Sequence, residues 1–188
     1  MTGADRVRWC AALVVVGALS MAAQQAGQDA AQQFENRVAD YVKLRDSQGK
    51  TQTRPTGSAA QVTEKRQDLA AKVRAARATA KEGDIFGPPV AQLFQQKIKE
   101  SFAGPQGPRI RTSLRHAEPV HGIKLAVNQS YPQGVPLQST PASLLLNLPA
   151  ISQGLQYRIV GRDLVLLDTN TNLVVDVLRD AIPTQDPQ

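Results

Sequence analysis

Residues 156–179, QYRIVGRDLVLLDTNTNLVVDVLR, constrain the fold more than any other stretch of the chain. Tyr157 to Val160 is aromatic and β-branched, the composition that pleated strands favour. Gly161-Arg162 follows as a turn, because glycine takes a positive φ without steric cost. Asp163 leads into Leu164–Leu167, and Asp168–Asn172 forms a second turn from residues whose side chains bond to nearby backbone groups. Leu173–Leu178 is the third strand. The pattern predicts a three-stranded antiparallel meander, which needs at least one covered face to be stable.

Period-two alternation gives an expected register. Asp176 is expected to face water together with Val174, with Leu173, Val175 and Val177 on the covered face. On the middle strand Asp163 and Asp168 fall on opposite faces. Leu164 and Leu166 are taken as the buried pair, with Asp168 bending away at the turn.

The cover must come from upstream. Residues 27–116 read as a helical region interrupted by a flexible linker over 47–58, where Gly, Pro, Ser and Thr replace any periodicity. Phe34, Val38, Tyr41 and Val42 make a narrow apolar stripe on a first helix, entered through a disordered or fraying lead-in, Gln24–Ala31. Ala59–Glu82 is a second helix, rich in alanine and basic residues, with a thin seam at Val62, Leu69, Val73 and Ala76. Gly83 ends it. Pro88 or Pro89 opens a third helix, over 88–103, whose Val90, Leu93, Phe94, Ile98 and Phe102 form the broadest apolar face and the expected cover for the sheet. A short basic helical piece, Arg109–His116, follows. Residues 117–188 form the β region: Ile123–Val127 reads as a further strand, Tyr131–Pro136 as a rigid loop, and Ala142–Leu146 as a short helix or strand after Thr140-Pro141. The fold class is therefore α+β, with three N-terminal helices followed by a small antiparallel β-meander.

Residues 1–22 carry the marks of a secretory signal peptide. Arg6 and Arg8 precede an apolar run, Ala11–Leu19, and small residues around Ser20-Met21-Ala22 fit cleavage after Ala22 or Ala23. An uncleaved membrane anchor is the alternative for the same segment. The single cysteine, Cys10, lies inside it, so the mature chain has no thiol for disulfides, nucleophilic catalysis or zinc ligation. The expected location is the periplasm or the medium. Net charge is +6 for the whole chain, and losing Arg6, Arg8 and Asp5 with the leader leaves +5. Such a charge favours anionic envelope components or nucleic acid in general without defining a site. Aromatic residues make up only 4% of the chain, too few for a base-stacking platform, and no specific nucleic-acid binding is expected.

The one group of metal-ligand types in close sequence is His116, Glu118 and His121. Pro119 rules out a helix through them, so a loop would have to bring them together. Asp163, Asp168 and Asp176 are better read as strand ends and turn caps than as an acid–base pair. No Gly-x-Ser-x-Gly elbow and no glycine-rich phosphate loop is present. No cofactor is implied.

The residues Tyr157, Arg158, Val160, Gly161, Asp163, Leu166, Asp168, Leu173, Val174 and Asp176, entered through Leu148-Pro149, form a pattern that resembles the C-terminal part of the periplasmic nickel/cobalt-homeostasis proteins. The Ala/Gln-rich helical half departs from the short aromatic-rich leaders of that family. The chain as a whole resembles uncharacterised exported proteins of environmental bacteria. These resemblances imply export and a meander, with metal handling through His116, Glu118 and His121 as the alternative to a non-enzymatic binding protein. The expected partner is a protein or an anionic envelope component, without stable membrane insertion after cleavage.

Overall fold

The computed structural model describes residues 5–49, 58–116, 123, 125–132, 134 and 140–184, with side chains from Gln24 onward. Among these residues, five helices precede a three-stranded antiparallel sheet: α1 (Asp5–Gln48), α2 (Ala59–Ala76), α3 (Pro88–Ala103), α4 (Gly107–His116), α5 (Ala142–Leu145), then β1 (Leu155–Val160), β2 (Asp163–Asp168) and β3 (Leu173–Leu178). The architecture is the α+β arrangement with a C-terminal meander expected from the sequence, strand order β1-β2-β3. Gly161, first of the two residues joining β1 to β2, has a φ of 61°, the conformation that this tight hairpin needs.

Helix α1 is longer than its apolar stripe predicted. Gln24–Ala31 is helical rather than disordered, and among the residues with described side chains the buried stripe runs from Ala30 through Phe34, Val38, Tyr41 and Arg45. A helix seeded by that packed stripe propagates upstream at one backbone bond per residue, through alanines and glutamines that favour it. Helix α2, by contrast, stops at Ala76 instead of Glu82. Asn128 braces the stop: its side-chain amide donates to the carbonyls of both Arg74 (3.1 Å) and Arg77 (2.9 Å), which also accept the tighter turn bonds from Arg77 N–H and Ala80 N–H. The start of α2 is fixed by a reciprocal capping box between Ser58 and Gln61. Helix α3 spans the predicted residues, with Val90, Phe94, Ile98 and Phe102 buried.

The sheet is covered on both faces. Leu155, Tyr157, Ile159, Leu164, Leu166, Leu173, Val175 and Leu178 pack into the main core with α1, α2 and α3. Phe34 of α1 and Phe94 of α3 both meet Tyr157, at ring-centroid distances of 6.4 and 5.8 Å, so α1 shares the covering role expected of α3. On the opposite face Val160, Val165, Leu167, Val174 and Val177 pack against Leu125 and Tyr131. Residues Asn128–Tyr131 also run along the outer edge of β3, with Asn128 N–H donating to the Val174 carbonyl (2.8 Å) and Val174 N–H to that of Gln129 (2.9 Å). The pairing predicted for Ile123–Val127 thus falls on the residues just after it.

The expected register of β3 is corrected by a β-bulge. Leu166 opposes Asp176 and Leu167 opposes Val174, leaving Val175 as the extra residue. A bulge breaks strict alternation. Leu173 and Val175 face the helices as expected, but Val177 and Val174 share the second face, and Asp176 turns toward the helices. Asp176, expected in water, is 0% exposed, as are Val174 and Asp168. With both faces filled, Val174→Asp and Val175→Asp should each cost about 3 kcal/mol or more, since each buries an unpaired carboxylate. Denaturant melts that find Val174→Asp close to neutral would contradict the second covered face.

Candidate functional site

The polar groups of the fold gather at three places, and two of them are built around buried aspartates. At the first, Asp176 accepts four backbone N–H bonds: Gly83 (3.0 Å) and Val177 (2.8 Å) to Oδ1, Ile85 (2.7 Å) and Phe86 (2.8 Å) to Oδ2. Three of these donors belong to the loop between α2 and α3. Gly83 takes a φ of 87° there, which suits glycine and lets successive N–H groups converge on one anion. Burial pushes the Asp176 carboxyl above the ordinary carboxylate range, and the four N–H donors pull in the opposite direction.

At the second place, Tyr41 donates to Asp168 Oδ2 (2.7 Å), Asn170 N–H donates to Oδ1 (2.8 Å), and Arg45 Nη1 stands 3.7 Å from Oδ1. The guanidinium of Arg77 lies 4.9 Å over the Tyr41 ring and donates to the Val175 carbonyl at 3.2 Å. Burial, reinforced by the Asp168 carboxylate, raises the Tyr41 pKa well above its ordinary value. The phenol therefore stays protonated at neutral pH and serves as a hydrogen-bond donor. Asp168, expected to bend away from the core, points into this α1–α2–sheet junction because Tyr41 and Arg45 supply its partners.

The third is Arg179, which donates to Asp163 Oδ2 (2.8 Å) and to the Leu125 carbonyl (2.7 Å), and is paired with Glu82. It joins the α2–α3 loop, β2 and the segment covering the second face. Asp163 also caps the chain after β3, accepting from Asp180 N–H at 3.0 Å. All three aspartates of the meander thus hold segments of the fold together. Asp168 and Asp176 do so from the interior and not from the solvent side.

Of the sequence-derived metal candidates, His116 is the exposed last residue of α4. Glu118 and His121 lie outside the described residues. Among the described residues no three His, Cys, Asp or Glu side chains are placed to hold a metal ion. A shallow cavity of about 370 Å³ lies at the α3–α4 corner, lined in part by Lys97, Glu100, Gln106, Leu146 and Asn147. Nothing in the sequence pattern pointed to it, because its lining comes from a helix end, a turn and a chain segment some 40 residues further on.

Comparison with protein-family models, with curated proteins and with solved structures returns no match for this chain.

The Asp176 cradle makes a direct prediction. Asp176→Asn replaces one acceptor oxygen with an NH₂ group facing N–H donors, and should lower stability by about 3 kcal/mol or more. Asp163→Asn, at a partly exposed position, should cost about 1 kcal/mol. Urea melts of the two variants, measured side by side, check the order.

Proposed function

We propose that this chain is an exported, non-enzymatic binding protein, acting in the periplasm or outside the cell. The observation that carries export is the pattern of residues 1–22, with Arg6 and Arg8 ahead of the apolar run Ala11–Leu19 and small residues around Ser20-Met21-Ala22. Cleavage after Ala22 or Ala23 would leave Gln24–Asp29, none of them buried, ahead of Ala30, the first buried residue among those whose side chains are described. Between the cut and Ala30 lie about two helical turns of unburied chain. A cysteine-free mature chain suits an oxidising compartment, where it can form no unwanted disulfide.

The non-enzymatic part of the reading is supported by how the polar side chains are used. Asp163, Asp168, Asp176, Tyr41 and Arg179 each hold two or more segments together, and Tyr41 is tuned away from proton transfer at neutral pH. Binding is then a matter of surface, and the mature charge of +5 directs it toward anionic partners.

Mass spectrometry of the chain recovered from the envelope fraction and the medium should find an N-terminus at Ala23 or Gln24. A cytoplasmic chain that retains the residues from Met1 onward would overturn the reading.

A further inference from the structure

The fold leaves a specific pair of large apolar side chains in water. Leu144, Leu145 and Leu146 are consecutive at the end of the short helix α5. Leu144 is fully buried and satisfies the core. Leu145 is 39% exposed and Leu146 86% exposed, the large hydrophobics left to solvent among the described residues. Leu146 in particular buries almost none of its side chain in a chain otherwise sparing with bulky residues. Polar residues flank the trio at Ser143 and Asn147.

A second, independent feature sits beside them. Leu146 and Asn147 share the cavity at the α3–α4 corner with Lys97 and Gln106. Gln106 leads into α4, whose exposed Arg109 lies in the first turn. Residues 97–116 carry Lys97, Lys99, Arg109, Arg111 and Arg115 against one acid, Glu100. Lys97 and Arg109 form no ion pair with the described residues. Glu100 lies on the same cavity and accepts from Gln96 at 2.9 Å.

We propose that the Leu145–Leu146 knuckle and the basic α3–α4 corner form a peripheral docking face for an anionic phospholipid surface. The proposal extends the envelope reading by naming the anionic partner. Exposed aliphatic side chains enter the boundary between headgroups and acyl chains, and neighbouring Lys and Arg are held by the negative surface potential. Each contribution alone is weak, so attachment is reversible and needs both. No insertion of a helix across the bilayer is involved.

The test uses processed chain, its N-terminus confirmed by mass so that the apolar leader cannot bind in its place. Co-sedimentation with vesicles of phosphatidylcholine alone is compared with vesicles that also contain phosphatidylglycerol. Binding is expected only with phosphatidylglycerol, and to fall steeply as salt is raised. Leu146→Ser should weaken it about tenfold. Lys97→Glu combined with Arg109→Glu should weaken it by a similar or larger factor, roughly tenfold or more. Both variants change exposed or half-exposed positions, and unchanged melts will show that they remain folded. The proposal is overturned by equal sedimentation with both vesicle types or with neither. It is equally overturned if Leu146→Ser binds as the parent does, since attraction would then be charge alone. A mature N-terminus with no vesicle binding would leave export standing and remove only this surface.

Discussion

The carboxylate of Asp176, held by four backbone N–H groups, is the contact on which the rest of the fold depends. Burying a carboxylate is costly unless its acceptors are filled. Here they are filled by the loop between α2 and α3, and the exchange works in both directions. The loop gains a fixed conformation, and β3 gains a reason to keep a charged residue on its helix-facing side. The same loop carries Phe86, whose N–H is one of the donors and whose ring lies 5.1 Å from that of Phe94 and 6.0 Å from that of Phe34. A chain with four phenylalanines and three tyrosines cannot spread them widely. It concentrates Phe34, Phe86, Phe94 and Tyr157 where α1, the loop, α3 and β1 meet, and Asp176 sets the loop's place in that cluster.

The second buried aspartate does for α1 what the first does for the loop. Asp168 receives Tyr41, and Tyr41 in turn lies under Arg77, the C-cap of α2, so two helices and the sheet share one polar junction. Arg179 closes the remaining side by linking Glu82 to β2 and to Leu125. The core contains few large side chains, and these directional contacts specify how its layers sit on one another. Their loss would leave an apolar interior able to slide between arrangements.

Much of the secondary structure was legible in the sequence because it follows local rules. Helix α3 has its proline start and broad apolar stripe, and the meander has its β-branched runs and its Gly161 and Asn172 turns. The failures share one cause, which is that they depend on partners distant in the chain. Alternation placed Asp176 in water because nothing local marks Val175 as a bulge, and the loop that rewards the bulge lies some 90 residues upstream. The early end of α2 is braced by Asn128, and the burial of Asp168 depends on Tyr41. Of the candidate sites, His116 is an exposed helix end, while the α3–α4 corner joins segments that no single motif spans. The Leu144–Leu146 run could be read as apolar, but which of its members reach solvent is decided by the tertiary packing around Leu144.

Amide hydrogen exchange at Gly83, Ile85 and Phe86 tests the central contact most directly. If Asp176 holds these donors, all three should exchange only on global unfolding, as slowly as the β3 amides, and Asp176→Asn should release them first. Exchange in the parent chain at the rate of an ordinary surface turn would contradict the account, because a loop not anchored to the bulged strand could not place Phe86 in the core.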